Sequence, residues 1–192
     1  MESGHIERTQ RLILNALTRH GWHYAETLEA QLQLASQLLE TLPPESSTGR
    51  FRDPGGDAVF SFSDRIHDDV TELPTNFLRV GLNSKTGYGA LIWFVSERDP
   101  RKGGIYEQTW ISDNPSPPAR DPRVVSDPGG PRFHHLRSTL PRARVQAAID
   151  EFCRTGTGDR PACVDWVIGH PSGRRQDEPH IDYPPAVDDP WA

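Results

Sequence analysis

Residues Phe77 to Val95 read FLRVGLNSKTGYGALIWFV. Leu78, Val80 and Leu82 alternate with Phe77 and Arg79, the period-two pattern of a strand. Asn83-Ser84-Lys85-Thr86-Gly87 is turn chemistry. Tyr88 to Val95 is then apolar on both faces, which reads as a central strand. Two strands joined by so short a turn are antiparallel neighbours, so the stretch predicts a hairpin inside an antiparallel sheet. Gly87-Tyr88-Gly89 begins like a dinucleotide-binding loop, but the third Gly is missing. It also lies between two strands rather than between a strand and a helix. These glycines serve the hairpin.

Upstream of the hairpin, Ala58, Phe60 and Phe62 alternate with Ser61 and Ser63, a half-buried strand. Arg11 to Leu17 is short and apolar and reads as a strand or a helix start, with Trp22 to Ala25 following Gly21. Leu28, Leu32, Ala35, Leu39 and Leu42 fall on one helical face behind Thr27 as N-cap, and Pro43-Pro44 ends that helix. Residues 43–56 read as a loop.

Downstream, Ile105 to Ile111 reads as a strand with Tyr106 and Trp110 on one face. Residues 112–132 hold six Pro and two Gly, and only Val124-Val125 reads as able to pair there. Ser138 or Thr139 caps a second helix with Pro141 in its first turn. Val145, Ala148, Ile149 and Phe152 form its apolar stripe, and Gly156 is its C-cap. Ala162 to Ile168 is a last strand, with Val164 and Trp166 facing one way.

This order predicts an α+β fold: a mostly antiparallel sheet of about five or six strands with two main helices packed on one face. The expected organisation is a polar N-terminal extension over 1–10, a single domain over 11–170 and an acidic, Pro-rich tail over 171–192.

Composition narrows the function. Eighteen Pro in 192 residues is about 9%, against a usual share near 5%, which excludes a long helical bundle. The net charge of -6 and pI near 5.7 argue against nucleic acid as a direct partner. No stretch approaches the length of a membrane span. The polar start has no apolar leader, and two cysteines make no disulfide framework, so the expected compartment is the cytoplasm. Arg outnumbers Lys 19 to 2, a composition typical of a GC-rich bacterial genome. The charge is also segregated. Residues 51–72 carry two Arg and six acids, net -4, and residues 98–145 carry nine bases and five acids, net +4. Residues 171–192 carry two Arg and five acids, net -3.

Catalytic signatures fail one by one. His5-Ile6-Glu7 has the H-x-E form of zinc deaminases but lacks the P-C-x-x-C half of that site. Cys153 and Cys163, with His134-His135 upstream, lack the tight ligand pairs of a zinc site. Asp68 and Asp69 point to opposite faces if extended, so they do not share a proton. No catalytic residue, metal or cofactor is expected. Two other classes stay in view: a metal-dependent hydrolase using His134, His135 and an Asp, and an adaptor with another partner.

From Glu151 the chain reads EFCRTGTGDRP, then Val164-Asp165-Trp166. A helix ending in Phe152, a T-G turn at Gly156, Arg160-Pro161 and a strand with Trp166 resemble the immunity proteins of bacterial polymorphic toxin systems, specifically the Imm family numbered one. Gly87 and Gly89, in Thr86-Gly87-Tyr88-Gly89-Ala90-Leu91, are similar to that family's hairpin. Leu12-Ile13-Leu14-Asn15-Ala16 and the helix over 28–42 fit its start. The resemblance covers roughly residues 11–168. The Pro-rich segment 112–132 and the tail 171–192 depart from it. It implies a cytosolic protein that binds and neutralises a cognate toxin, usually a nucleic-acid deaminase, by occluding its active site, with no catalytic residue to carry over. The free protein is expected to be monomeric. An acidic surface suits a toxin with a basic substrate groove. The expected contacts are Asp57, Asp64, Asp68, Asp69 and Trp110.

Overall fold

In a computed structural model, residues 12–44, 46–48, 51–53, 55–68, 72–127 and 132–178 are described. The expected extension over 1–10, Asp69 and the chain beyond residue 178 lie outside the described residues. In chain order the elements are β1 (Ile13–Thr18), β2 (Gly21–Ala25), α1 (Leu28–Thr41), β3 (Ser46–Thr48), β4 (Phe51–Asp53), β5 (Asp57–Ser63), β6 (Asn76–Asn83) and β7 (Tyr88–Val95). Then come β8 (Thr109–Asp113), β9 (Val125–Asp127), β10 (Arg132–Phe133), β11 (Leu140–Pro141), α2 (Arg142–Thr155) and β12 (Asp165–Gly169).

The hairpin forms as its pattern dictates. β6 and β7 pair antiparallel over their full length, from Asn76↔Val95 to Asn83↔Tyr88. They sit in the middle of a sheet ordered β12-β8-β7-β6-β5-β1-β2, and β11 adds to β7 beside its first residues. The fold is therefore α+β with an antiparallel sheet, as expected, but with eight strands rather than five or six. The extra pairing is tertiary in origin: β11 is two residues long and carries no period of its own. Two small ribbons, β3-β4 and β9-β10, also form inside stretches read as loop or Pro-rich.

Register puts Leu14, Phe62, Phe60, Leu78 and Trp93 on one face of the sheet. Ala35, Leu38 and Leu39 of α1 and Val145, Ala148, Ile149 and Phe152 of α2 close over that face. Both helices lie there, and they contact each other. Phe152 meets Phe62 with ring centroids 5.2 Å apart. Thr27 caps α1, its hydroxyl accepting from the Ala30 N–H at 3.2 Å. Gly156, left-handed at φ 63°, closes α2 and donates to the Phe152 carbonyl at 3.1 Å.

Two local expectations need correction. α2 starts after Pro141, without a side-chain cap. Ser138 and Thr139 are taken up in the connection to β8, where their carbonyls accept from the Ser112 hydroxyl at 2.7 Å and the Asn114 amide at 2.6 Å. Residues 105–111 are also not one strand. A 3-10 turn spans Gly104–Glu107 and β8 begins at Thr109. That turn brings Tyr106 against Trp93, 5.9 Å between centroids, an aromatic contact that a straight strand would not make.

The loop after α2 plugs one end of the core. The Trp93 indole N–H donates to the Gly158 carbonyl at 3.0 Å. Gly158 has φ +76°, and a Cβ there would fall onto the Asn76 side-chain amide. That amide is occupied: it donates to the Phe62 carbonyl at 2.7 Å and accepts from the Phe62 N–H at 2.9 Å. Gly158→Ala is therefore expected to combine left-handed strain with disturbance of buried hydrogen bonds, lowering unfolding free energy by roughly 2–4 kcal/mol. Urea unfolding measures it, and a loss below about 1 kcal/mol would mean the plug yields freely.

Candidate functional site

The face of the sheet opposite the helices carries Leu17, Trp22, Val59, Arg79, Ile92 and Ile111 in one row across the strands. Two segments cover parts of it. Residues 64–68 fold back over β1 because the buried Asn15 side chain holds them. Its amide donates to the Ser63 hydroxyl at 3.0 Å and the Arg65 carbonyl at 3.1 Å, and its oxygen accepts from the His67 N–H at 2.9 Å. His67 lands on Trp22, centroids 5.8 Å apart. Burial in this contact pulls the His67 pKa below its ordinary value.

The other cover is built from residues 122–127, 132–135 and 170–178. The Val125 backbone lies against Gly81, and the Asn83 amide donates to the Pro122 carbonyl at 2.9 Å. His134 is buried beneath Gly173, 3% exposed, and near enough to Arg79 to feel its charge. Desolvation first, and the Arg79 guanidinium second, push its pKa down to about 3. His134 is thus a neutral core side chain. Arg175 locks the segment to β8 through ion pairs with Asp113 and Asp177. Between the two covers, Leu17, Val59, Phe77 and Phe94 are half-buried, and Phe77 stacks on Phe94 at 4.8 Å.

The residues expected to touch a partner do not form one patch. Asp57 and Asp64 stand at opposite ends of β5, roughly 20 Å apart at ~3.3 Å per residue. Asp57 is paired with Arg79 at the covered end. Asp64 and Asp68 are exposed on the loop that folds back over the sheet. Trp110 lies on the helix side, half-buried, with its indole N–H donating to the Ile105 carbonyl at 2.8 Å. The Arg160 guanidinium roofs it at 4.1 Å and stands 5.7 Å from Trp166. The aromatic signal of Trp110 was genuine, but its partner is intramolecular.

That roof accounts for the motif that ends the chain's resemblance. Pro161 accepts the Trp166 indole N–H through its carbonyl at 2.8 Å. Glu151 receives the Ala162 and Cys163 N–H groups at 2.7 and 2.9 Å. Asp159 takes Arg101 at 2.6 Å and the Tyr106 hydroxyl at 3.1 Å, and Arg101 also grips the buried Asp99 through both oxygens. Gly87 sits in the hairpin turn and Gly89 against Val145. Phe152, Gly156, Arg160, Pro161 and Trp166 thus act as structure, fastening α2 to the β8-β12 edge. Sequence reading took Arg160 as a motif letter and missed Arg101 and Asp99; two tryptophans of unknown orientation gave no hint of the charge between them.

Cys153 is buried, and desolvation pushes its thiol up to about 12. Cys163 is exposed, with its thiol pushed up to about 11 by desolvation and Glu151. Both stay protonated, the unreactive form. His135 pairs with Glu178 at 2.7 Å while His134 is enclosed. Among the described residues, no group of three or more His, Cys, Asp and Glu side chains is placed to hold a metal ion. Among the same residues, no helix is long and apolar enough to cross a membrane.

No curated protein and no solved structure matches the chain. The family model described as Immunity protein Imm1 matches residues 14–168, from β1 to β12, and so spans the sheet, both helices and the Arg160 roof. On a match of that extent, the chain belongs to the Imm1 family of immunity proteins.

Proposed function

We propose that this protein binds a nucleic-acid deaminase toxin and neutralises it by covering the entrance to its active site. Family membership over residues 14–168 carries the reading: an immunity protein neutralises a cognate toxin. The finer steps rest on physical fit. A deaminase that acts on nucleic acid needs a positively charged groove for the phosphate backbone. A protein of net charge -6 is drawn to such a groove at long range and can fill it without chemistry of its own. The protein works as a monomer in the cytoplasm of the cell that makes the toxin, and it needs no metal or cofactor to do so.

Co-expression with the toxin encoded by the adjacent gene tests this. The host is expected to survive, and an inactivated toxin is expected to co-purify with the protein. Death of the host despite soluble expression, for every neighbouring toxin candidate, would overturn the reading.

A further inference from the structure

We infer that the uncovered strip of the sheet's second face, between the 64–68 loop and the cover of residues 122–127 and 132–135, is the surface that grips the toxin. This rests on the immunity reading above. The occupant is a toxin surface that is basic at its rim and apolar at its centre.

Three observations converge on the strip. The first is where apolar surface remains in water. Among the described residues the exposed large hydrophobic side chains are Tyr24 at 55%, Ile66 at 41% and Leu73 at 58%. Tyr24 shares this face through its pairing with Asn15, and Ile66 and Leu73 lie on the chain linking β5 to β6. Apolar side chains left in water beside one sheet face are what a partner would cover.

The second is the Phe77-Phe94 stack. It is half-buried on a rigid strand pair, with Val59 diagonal to it. Aromatic side chains dominate binding hot spots, and strands present them with little ordering cost. From Leu17 on β1 to Phe94 on β7 the strip crosses four strands, roughly 14 Å at ~4.8 Å spacing. That width suits the desolvated centre of an ordinary interface.

The third is charge. At the Asn76 end of the strip stand Asp64, Asp68, Glu72 and Glu97. The guanidinium groups there, Arg65 and Arg98, both pair with Glu72. Lys102 reaches the Glu97 carbonyl at 2.7 Å, so four carboxylates stand against three cations and this rim keeps a net -1. It disfavours nucleic acid and anionic lipid. A basic protein surface is the complement. On the helix side, Trp110 is roofed by Arg160.

The test measures affinity for the inactivated toxin domain from the adjacent gene. Tyr24→Arg/Leu73→Arg alters exposed side chains only, and Phe94→Arg breaks the stack. Each is expected to weaken binding at least ~30-fold, the level of a hot spot. Asp64→Lys/Asp68→Lys is expected to slow association and flatten its salt dependence. Glu29→Lys/Glu40→Lys, on the exposed face of α1, is expected to change affinity less than ~3-fold. Circular dichroism confirms that each variant is folded, and the exposed pair decides the matter if Phe94→Arg is not. Wild-type binding with unchanged Tyr24→Arg/Leu73→Arg affinity overturns the surface alone. Failure of the wild type to bind any neighbouring toxin overturns the immunity reading, and the surface with it. Concentration-dependent dimerisation that Tyr24→Arg/Leu73→Arg abolishes would assign the strip to a second copy instead.

Discussion

Arg175→Met is expected to lower the unfolding free energy by roughly 3 kcal/mol, with a fall in Tm on the order of 6–12 °C. The side chain is fully buried, yet it carries a charge that titration does not remove. Nη1 donates to Asp113 at 2.7 Å and to the Ser138 hydroxyl at 3.3 Å, while Nε and Nη2 fork onto Asp177 at 2.8 and 2.9 Å. Methionine keeps the unbranched stem as far as the Nε position, but it removes the guanidinium head and with it every donor. Asp113 and Asp177 are then left facing each other. Breaking a buried ion pair from one side costs ~3–5 kcal/mol, and the lower figure applies because Asp177 reaches water. Arg137, 3.6 Å from Asp177 and 4.0 Å from Asp113, supplies only partial replacement because it is itself about half exposed. The backbone around Arg175 hangs on the same bond set: Gly169 bridges Arg175, and the Gln176 N–H donates to the Ile168 carbonyl at 2.9 Å. Faster tryptic cleavage at Arg174 should therefore accompany the loss of stability. Adding Asp113→Asn and Asp177→Asn should recover part of it. A change below ~1 kcal/mol in the single variant would show that 170–178 is not tied energetically to the sheet.

Arg175 also marks where sequence reading ran out. Periodicity exposed the hairpin over 77–95, the stripe of α1 and the stripe of α2, because each buries one repeating face and leaves a repeating trace. An arginine beside another arginine, Arg174-Arg175 between Ser172 and Asp177, leaves none. Its burial depends on Asp113, more than sixty positions away, and on the fold that brings them together. β11 escaped for the same reason, since Leu140-Pro141 pairs only once β7 offers an edge beside Gly89. The proposed binding surface takes up part of the charge pattern: the acidic run over 51–72 includes Asp64 and Asp68, which stand on the exposed loop. That run could not tell them from Asp57, whose neighbour across β5-β6 is the cation Arg79. Trp110 gave a true aromatic signal on a face that register alone assigns to the helices.

His134→Leu is expected to abolish a dependence of stability on pH that begins near neutrality. The wild-type imidazole is enclosed, and its Nδ1 has no hydrogen-bond partner among the described residues. Its pKa falls from 6.5 to about 3, first from desolvation and then from Arg79. The unfolded chain takes up a proton near pH 6.5, while the folded chain resists until about 3. Above 6.5 both states are neutral and the site is indifferent to pH. As pH falls from 6.5 toward 3, the unfolded state is favoured by about 1.4 kcal/mol per unit, and below 3 the loss is complete. That amounts to roughly 2 kcal/mol at pH 5 and roughly 3 at pH 4. Leucine fills a similar volume and cannot take the proton. His67, also lowered by burial, and the carboxylates held low by their partners titrate in both proteins. They cancel in the difference between the two curves. Urea unfolding of both proteins from pH 7 to 4 should show the wild type losing roughly 3 kcal/mol relative to the variant, and parallel curves would refute the buried neutral histidine. The loss should also be local first. His134 lies under Gly173 and beside Ser126, so a proton there pries the cover of residues 122–127, 132–135 and 170–178 from Ile92 and Ile111. Amide exchange at Val125 and Gln176 should accelerate at pH 5 while Leu78 and Leu91 stay protected, because both lie in the apolar core under the two helices.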